Sequence, residues 1–467
     1  MCFNLFQPLS LMKFTTTICL LLWINVSSHA QYMLGVTNSN FAGTHAMYLN
    51  PARIAQSPHK LYVNVLQIDA QLSNNYYRWN GENLFSAIDD LDLTQLEERP
   101  NGNYFVTNLE IRGPAAMYQI NDNNSIAIGI RGRVIANAND VSRSIYSLIK
   151  EDGEFDDLIG QNYEDTDFNF NGNGFLEYSA TYARTILREG PHFLKGGITV
   201  KYLSGFGSVH ASSEDSDFSI QQDISFADTT DFFQVATLNG NISYSSDDYT
   251  DVNASDIFSG QLGNGLGLDI GFSYTYNDET AEEVLGEAAR VEPYLFRIGL
   301  AITDIGSIRY NGDRTRAYQF ANQDIRLEPE EIDLENPENL VTAFNVDLDD
   351  FEDNYTVALP TTLNFTFDYR IQPHIYASLT WIQNLRSQDV LGAVYGSLIS
   401  VTPRYERKMI EVALPISLAD NYRNFRLGTT LRLGYWIIGT DHLNGLIGLG
   451  SVTGTNLYTG LHLPIFK

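Results

Sequence analysis

The sequence has almost no cysteine: Cys2 and Cys19 are the only two in 467 residues, and both fall within the first 30. Beyond residue 30 the chain can form neither a disulfide nor a thiolate site. Long apolar runs are missing too. No stretch of 18 or more apolar residues follows residue 30, so no second helical membrane span is expected. Charge is scarce, at 18% of residues, and leans acidic, with 29 Lys and Arg against 57 Asp and Glu. No basic stripe is present to neutralise phosphates, which argues against nucleic acid as a partner. Enzyme signatures are absent. There is no G-x-S-x-G, no P-loop and no metal-spaced His pair, and the seven later histidines (His45, His59, His192, His210, His374, His442, His462) are scattered. The expectation is a non-enzyme with no cofactor and no bound metal.

What is present points to strands and turns. Aromatics reach 12%, with 27 Tyr and 26 Phe, and there are 36 Gly. Asn-Gly dipeptides at 80, 101, 171, 173, 239, 264, 311 and 444 supply hairpin punctuation. Residues 1–30 read as a cleaved secretory signal. Lys13 is their only charge, Phe14 to Val26 is mostly apolar, and Ser28-His29-Ala30 is an A-x-A-like cleavage site. Met12 is a plausible alternative start to Met1, because it places Lys13 at the head of the signal.

A period of two runs through the rest. Leu363, Phe365, Phe367 and Tyr369 oppose Asn364, Thr366, Asp368 and Arg370. Leu266, Leu268, Ile270, Phe272, Tyr274 and Tyr276 oppose Gly267, Asp269, Gly271, Ser273 and Thr275. Tyr294, Phe296, Ile298, Leu300 and Ile302 oppose Arg297, Gly299, Ala301 and Thr303. Similar stripes occupy 126–133 and 409–418. Each stripe is a strand with one apolar and one polar face. A soluble sandwich would alternate in the same way. Stripe lengths of about nine to eleven residues suit a tilted strand crossing a bilayer. Tyr274, Tyr276, Trp381, Tyr435 and Trp436 near stripe ends suit an aromatic girdle. The expected fold is an all-β, transmembrane antiparallel β-barrel of about 14 strands, within 12 to 16.

Link lengths support that reading. Short links at 121–124, 188–192, 372–373 and 407–408 alternate with long ones near 75–104, 139–170, 245–264 and 311–355, with 277–292 as an exception. The polar pair 216–226 and 232–244 reads as a hairpin above the membrane, and removing it takes the count from 16 to 14. A helical segment is expected where Ile145, Leu148 and Ile149 are spaced. The resulting division is 1–30 signal peptide, 31–58 N-terminal plug or periplasmic segment, and 59–467 barrel. The implied location is the outer membrane of a Gram-negative cell, against lipid and lipopolysaccharide.

The segment Gly35–Ala52, GVTNSNFAGTHAMYLNPA, resembles the start of a family of uncharacterised outer-membrane barrels from Bacteroidetes-type bacteria. Later segments agree in order: LKGGITVKYLSG at 194–205, LGLDIGFSYTYN at 266–277, FRIGLAITDIGSIRYNGD at 296–313, VALPTTLNFTFDYRI at 357–371 and LRLGYWIIGTDHL at 431–443. More distantly, Asn50-Pro51-Ala52 resembles the NPA of the long-chain fatty-acid transporter (FadL-like) barrels and of the type IX secretion shuttle barrels. That resemblance implies 14 strands and an N-terminal segment in or under the lumen.

Three groups of residues carry the functional expectations. Asn38, Asn40, Phe41, Met47, Asn50, Pro51 and Ala52 are candidates for a plug, either a movable gate or a fixed filling. Arg131, Arg133, Lys201, Asp269, Arg297, Asp368, Arg370, Glu411, Arg426 and Arg432 are inward charges by strand parity, richer in Arg than in acid. They serve as an anion filter or as salt bridges bracing the wall. Acid clusters at 152–157, 328–331 and 347–353 are solvated loops or cation sites, and Asp167-x-Asn169-x-Asn171-Gly172 begins like a calcium loop but lacks its twelfth ligand. Two functions follow. One is passive transport of hydrophobic or amphipathic small molecules gated by the N-terminal segment. The other is a non-transporting barrel acting as a structural or assembly partner of an envelope protein, in secretion or surface-protein attachment.

Overall fold

A computed structural model describes residues 32–75, 79–80, 103–141, 162–163, 168–213, 216–223, 230–245, 262–277, 294–311, 315–327, 341, 351–386, 391–392, 394–448, 451–452 and 454–467. The expected signal at 1–30, the helix around Ile145, the acid clusters at 152–157, 328–331 and 347–350, and most of the link 277–292 lie outside the described residues.

Fourteen antiparallel strands close into a barrel. In chain order they are β1 (His59–Asn74), β2 (Asn103–Gln119), β3 (Asn124–Val141), β4 (Phe168–Glu189), β5 (His192–Ser213), β6 (Gly263–Asn277) and β7 (Tyr294–Asn311). Then come β8 (Asn354–Ala358 and Thr362–Gln372), β9 (Ile375–Asn384), β10 (Leu398–Glu406), β11 (Ile410–Ala413 and Ile416–Ala419), β12 (Asn424–Leu427 and Thr429–Leu433), β13 (Trp436–Thr440) and β14 (Gly454–Phe466). Each pairs with its neighbour in sequence, and β1 closes on β14 with Tyr62 opposite Pro464 and Val63 opposite Leu463. Closure leaves no ladder edge within the wall.

The alternation is that of an inverted protein. On β6, Leu266, Ile270 and Phe272 are exposed while Asp269, Ser273 and Thr275 are buried. On β11, Ile410, Val412, Ile416 and Leu418 are exposed while Glu411 and Ser417 are buried. The exposed side chains form an apolar belt, and the polar ones fill the interior. This is the arrangement a bilayer selects. Girdle aromatics sit at both rims. The Trp381 indole donates to the Tyr422 hydroxyl at 2.7 Å near the outer rim, and the Trp436 indole donates to the Thr459 hydroxyl at 2.8 Å near the inner one. Near-terminal Phe466 packs edge-on against Phe41 at a centroid separation of 6.1 Å, which ties the last strand to the N-terminal segment.

One side of the wall is taller than the membrane requires. β4 and β5 each run 22 residues. At ~3.3 Å per residue and a ~40° tilt, that height is roughly twice the ~25 Å apolar band. Exposed apolar residues on this side (Tyr182, Ile186, Ile198, Val200, Tyr202) occupy only the inner half. The outer end of β5 pairs instead with Thr230–Ser245, which pairs in turn with Asp217–Asp223. The expected hairpin therefore stands outside the wall. The sequence missed its third member. Thr315–Leu327, read as part of a long link, is a strand hydrogen-bonded to Thr230–Ser245.

Two local readings are corrected. Tyr294 does not share the outward face of Phe296; it is fully buried, and its hydroxyl donates to Asp368 Oδ2 at 2.6 Å. A register shift between Tyr276 and Asn277, opposite Phe296 and Tyr294, accounts for the turn inward. The stretch that begins like a calcium loop is β4 from Phe168 onward, and an extended backbone cannot wrap a cation.

Candidate functional site

The interior is occupied from the inner side by residues 33–58, which enter the barrel before β1 begins. Leu34–Thr37 forms one helical turn, and Gly43–Tyr48 and Pro51–Ile54 form two 3-10 helices. Asn50 caps the second of these: its side chain accepts from the Ala52 amide at 3.0 Å, and Pro51 takes the first helical position. Gly43 turns the chain at φ +56, with the Tyr62 ring where a side chain would stand.

The sequence-derived plug residues all lie on this segment and are buried. Their partners come from strands around the barrel. Asn38 donates to the Thr380 hydroxyl on β9 at 2.6 Å. Ser39 donates to Glu411 on β11 at 2.7 Å. Asn40 accepts from Arg297 on β7 at 3.2 Å, and the Leu34 amide donates to Asp441, just past β13, at 3.0 Å. Asn364 on β8 donates to the Leu49 carbonyl at 3.1 Å. Met47 packs with Tyr48, Ile54, Tyr62, Met117, Ala127 and Ala183. Three of the scattered histidines converge near this base. His59 and His462 lie 4.9 and 5.3 Å from the Tyr62 ring, and His45 lies 6.1 Å from it.

Asn50-Pro51-Ala52 sits where the wall is cut back to glycine. A methyl added at Gly197 on β5 would lie 2.4 Å from the Ala52 nitrogen, and one at Gly271 on β6 would lie 2.2 Å from Asn50 Oδ1. These two glycines face each other across the ladder. Asn50 Nδ2 then reaches the wall backbone at Phe272 O, 2.9 Å away. The sequence reading missed this seat, although inward-parity glycines inside strands were its visible signal.

Nearer the outer rim the lumen is crossed by charge. Arg131 contacts Glu177 at 2.6 Å and Asp304 at 3.3 Å. Arg133 contacts Asp304 at 3.0 Å, and Lys201 contacts Asp304 at 2.6 Å and Asp269 at 2.7 Å. Glu110 and Arg112, paired on β2, join through Arg131. Four cations and four carboxylates thus share one layer, with the Arg112 and Arg131 guanidiniums over the Tyr48 ring at 4.6 and 4.7 Å. Elsewhere Asp368 holds Arg297 and Arg404, each at 2.7 Å, Glu411 holds Arg432 at 2.9 Å, and Arg426 pairs with Asp420. Arg370 is buried on β8.

All ten inward charges named from the sequence are therefore interior. Beyond those ten, the layer also holds Glu110, Glu177 and Asp304 with Arg112, and the lower cluster holds Glu406 with Arg404. Asp304 was hidden by a bulge. Thr303 and Asp304 are both buried, Asp304 has φ 58, and after the bulge the inward parity on β7 switches to Ile308 and Tyr310.

A second segment packs inside the outer half of the barrel. Between β9 and β10, Leu391 and Tyr395 pack onto Ile135, Phe175, Leu203, Ile308, Tyr355 and Val357. The Gly392 amide donates to Asn171 at 3.1 Å, and Arg386 donates to the Ala358 carbonyl at 2.6 Å. Burial pushes the Arg386 guanidinium down to about 10, still charged at neutral pH. Just past β13, burial holds His442 near 3, so its ring is neutral. Among the described residues no cluster of His, Cys, Asp and Glu is suited to a metal ion.

The profile of a family of unknown function (DUF5723) matches residues 51–441. No curated protein matches the chain. Among solved structures, the toluene transporter TodX of Pseudomonas putida is 7% identical at a TM-score of 0.34, covering 93% of this chain and 96% of its own. A FadL homologue of Pseudomonas aeruginosa is 10% identical at 0.31, covering 93% and 97%. The translocator domain of the autotransporter NalP from Neisseria meningitidis is 8% identical at 0.31, covering 85% and 87%. At these values the likeness carries no functional information.

Proposed function

The chain belongs to the DUF5723 family of unknown function, and from that premise we propose that it is an outer-membrane barrel closed at rest, serving as a structural or assembly partner in the envelope. The observation that supports this reading is the seating of residues 33–55. Seven large apolar side chains of that segment (Met33, Leu34, Val36, Phe41, Met47, Leu49, Ile54) are buried in the barrel. At ~1.5–3 kcal/mol each, expelling them costs on the order of 10–20 kcal/mol before any hydrogen bond is counted. An open state reached that way is populated far too rarely for passive flow. The tall side at β4 and β5, with its three added strands, gives a partner a surface beyond the membrane.

A gated passage for hydrophobic or amphipathic small molecules is the second reading. It is favoured by the apolar cluster under the outer mouth and requires a local shift of the segment instead of expulsion. One experiment separates the two. The chain beyond residue 30 has no cysteine, so Asn38→Cys with Thr380→Cys can lock the segment to β9. In planar bilayers and proteoliposomes, the closed barrel is expected to show neither conductance nor uptake, locked or unlocked. Uptake of a hydrophobic probe that the lock abolishes and a reductant restores would overturn the closed reading in favour of the gate.

A further inference from the structure

Three histidines far apart in the chain, His45, His59 and His462, pack around the single ring of Tyr62, each with its centroid within 6.1 Å of it. All four side chains are buried, none more than 1% exposed. They come from the two sides of one joint. His45 is on the Gly43–Tyr48 helix of the N-terminal segment, and Gly43 lies against the Tyr62 ring. His59 opens β1 opposite Phe466, and His462 on β14 faces Asn64 of β1 across the closing ladder. Phe41 of the segment meets His59 at 6.2 Å, and Phe466 meets it at 4.8 Å. The histidines therefore join the segment to the seam where the barrel closes.

A histidine held among aromatic rings and out of water stays neutral, because its charged form loses most by leaving water. Burial, with Arg112 and His462 nearby, holds the His45 ring well below the usual histidine range. Arg112 on β2 faces His45, and Arg432 on β12 faces His59 and His462. Each arginine already has a counter-charge: Glu110 pairs with Arg112, and Glu411 holds Arg432 at 2.9 Å. Lys467 also faces His59, and Lys408 lies over the Phe466 ring at 4.4 Å. Protons added to the rings would set up to three imidazoliums against one another and against these cations. Released into water, each ring titrates near about 6.5. Once the pH falls through that value the released segment binds more protons than the seated one, so the seated state loses stability. Above about pH 7 the rings are neutral in both states and the effect vanishes. From about pH 7 to about pH 5, each ring that becomes wet on release favours release by roughly 25-fold.

We propose that His45, His59 and His462 form a pH-sensitive latch. Neutral, they hold the N-terminal segment against the β1–β14 seam; in mild acid they take up protons and loosen it. Loosening does not require the lumen to conduct, so the latch stands apart from both readings of function.

The test reads the ratio of released to seated segment at about pH 7 and about pH 5, on the full chain in detergent. Brief protease pulses across a urea series give that ratio as the fraction cut between residues 33 and 58 in a barrel that still migrates as folded. Glu411 and Asp441 are carboxylates that accept from Ser39 and Leu34 of the segment. The quantity compared is therefore the acid-to-neutral change in the parent against that in each variant. His45→Gln removes one proton site and is expected to shrink this change about tenfold or more. His462→Gln, on the wall, is expected to do the same, and it keeps the test open if His45→Gln fails to fold. A side chain that only fills space would shift the ratio equally at both pH values. His192→Gln, at an exposed position on the same inner rim, should leave the change as in the parent. A reduction of about threefold or more in either cluster variant supports the latch. A smaller one in every folded cluster variant, or an equal one in His192→Gln, overturns it.

Discussion

Around Asn50-Pro51-Ala52 the wall is cut back to glycine, whereas nearer the outer rim, around Asp304, it is filled with charge. Both arrangements lie inside the same barrel, yet they are held differently. The seat works by shape: backbone and short side chains meet at van der Waals distance, and one added methyl has nowhere to go. The charge layer works by pairing. Arg131, Arg133 and Lys201 each have more than one carboxylate in reach, so the layer depends on balance more than on any single contact. The seat should therefore be intolerant of added volume, and the layer of lost balance.

The largest effect should come from filling the seat. Gly197→Val places atoms against the Ala52 backbone, which cannot swing aside as a flexible side chain would. The segment should lift from the wall, forfeiting much of the ~10–20 kcal/mol of apolar burial. The expected readout is protease cleavage between residues 33 and 58 in a barrel that still migrates as folded. Continued protection would show that the seat is not set by shape.

Next is a single break in the layer. Asp304→Ala leaves Arg131, Arg133 and Lys201 with one carboxylate fewer in a buried place. A loss of about 3–5 kcal/mol is expected, measured by urea unfolding from detergent or lipid. Removing charge in balance should cost less. Lys201→Met with Asp269→Asn takes out one cation and one anion and keeps an oxygen for the Asp304 amide, which Asp269 accepts at 2.7 Å. The double variant should be less destabilised than the sum of the singles by about 1–3 kcal/mol. Strict additivity would mean that the layer is a set of separate contacts.

This contrast also marks what sequence could reach. The wall was legible because a period of two is enforced by lipid on one side and polar filling on the other; β6 and β11 follow it without a slip. The inward Arg residues were legible for the same reason. Parity fails wherever the ladder is irregular. The bulge at Thr303–Asp304 hid the acid at the centre of the layer, and the shift beside Tyr294 hid a hydrogen bond to Asp368. Which groups meet across the lumen was not legible at all, since Asn38 and Thr380 are 342 positions apart. Thr315–Leu327 was missed because its strand lies outside the wall, where no membrane imposes a pattern.

The smallest effect tests whether the seat needs its polar contact as well as its shape. Asn50 does two things: it caps Pro51–Ile54 through the Ala52 amide and anchors the segment through the Phe272 carbonyl. Asn50→Ala removes both without adding volume, so Gly271 stays uncrowded and the apolar contacts of Met47 and Leu49 remain. A lost cap costs ~1 kcal/mol, and an exchanged neutral hydrogen bond about as much again. The expected loss is thus about 1–2 kcal/mol in urea unfolding, with residues 33–58 still protected from protease. Asn50→Asp should retain the cap but set a carboxylate oxygen against the Phe272 carbonyl in a buried place, and so be destabilised more than Ala. If Asn50→Ala instead released the segment as Gly197→Val is expected to, the seat would be held by this one side chain, and the difference drawn between shape and pairing would fail at its first residue.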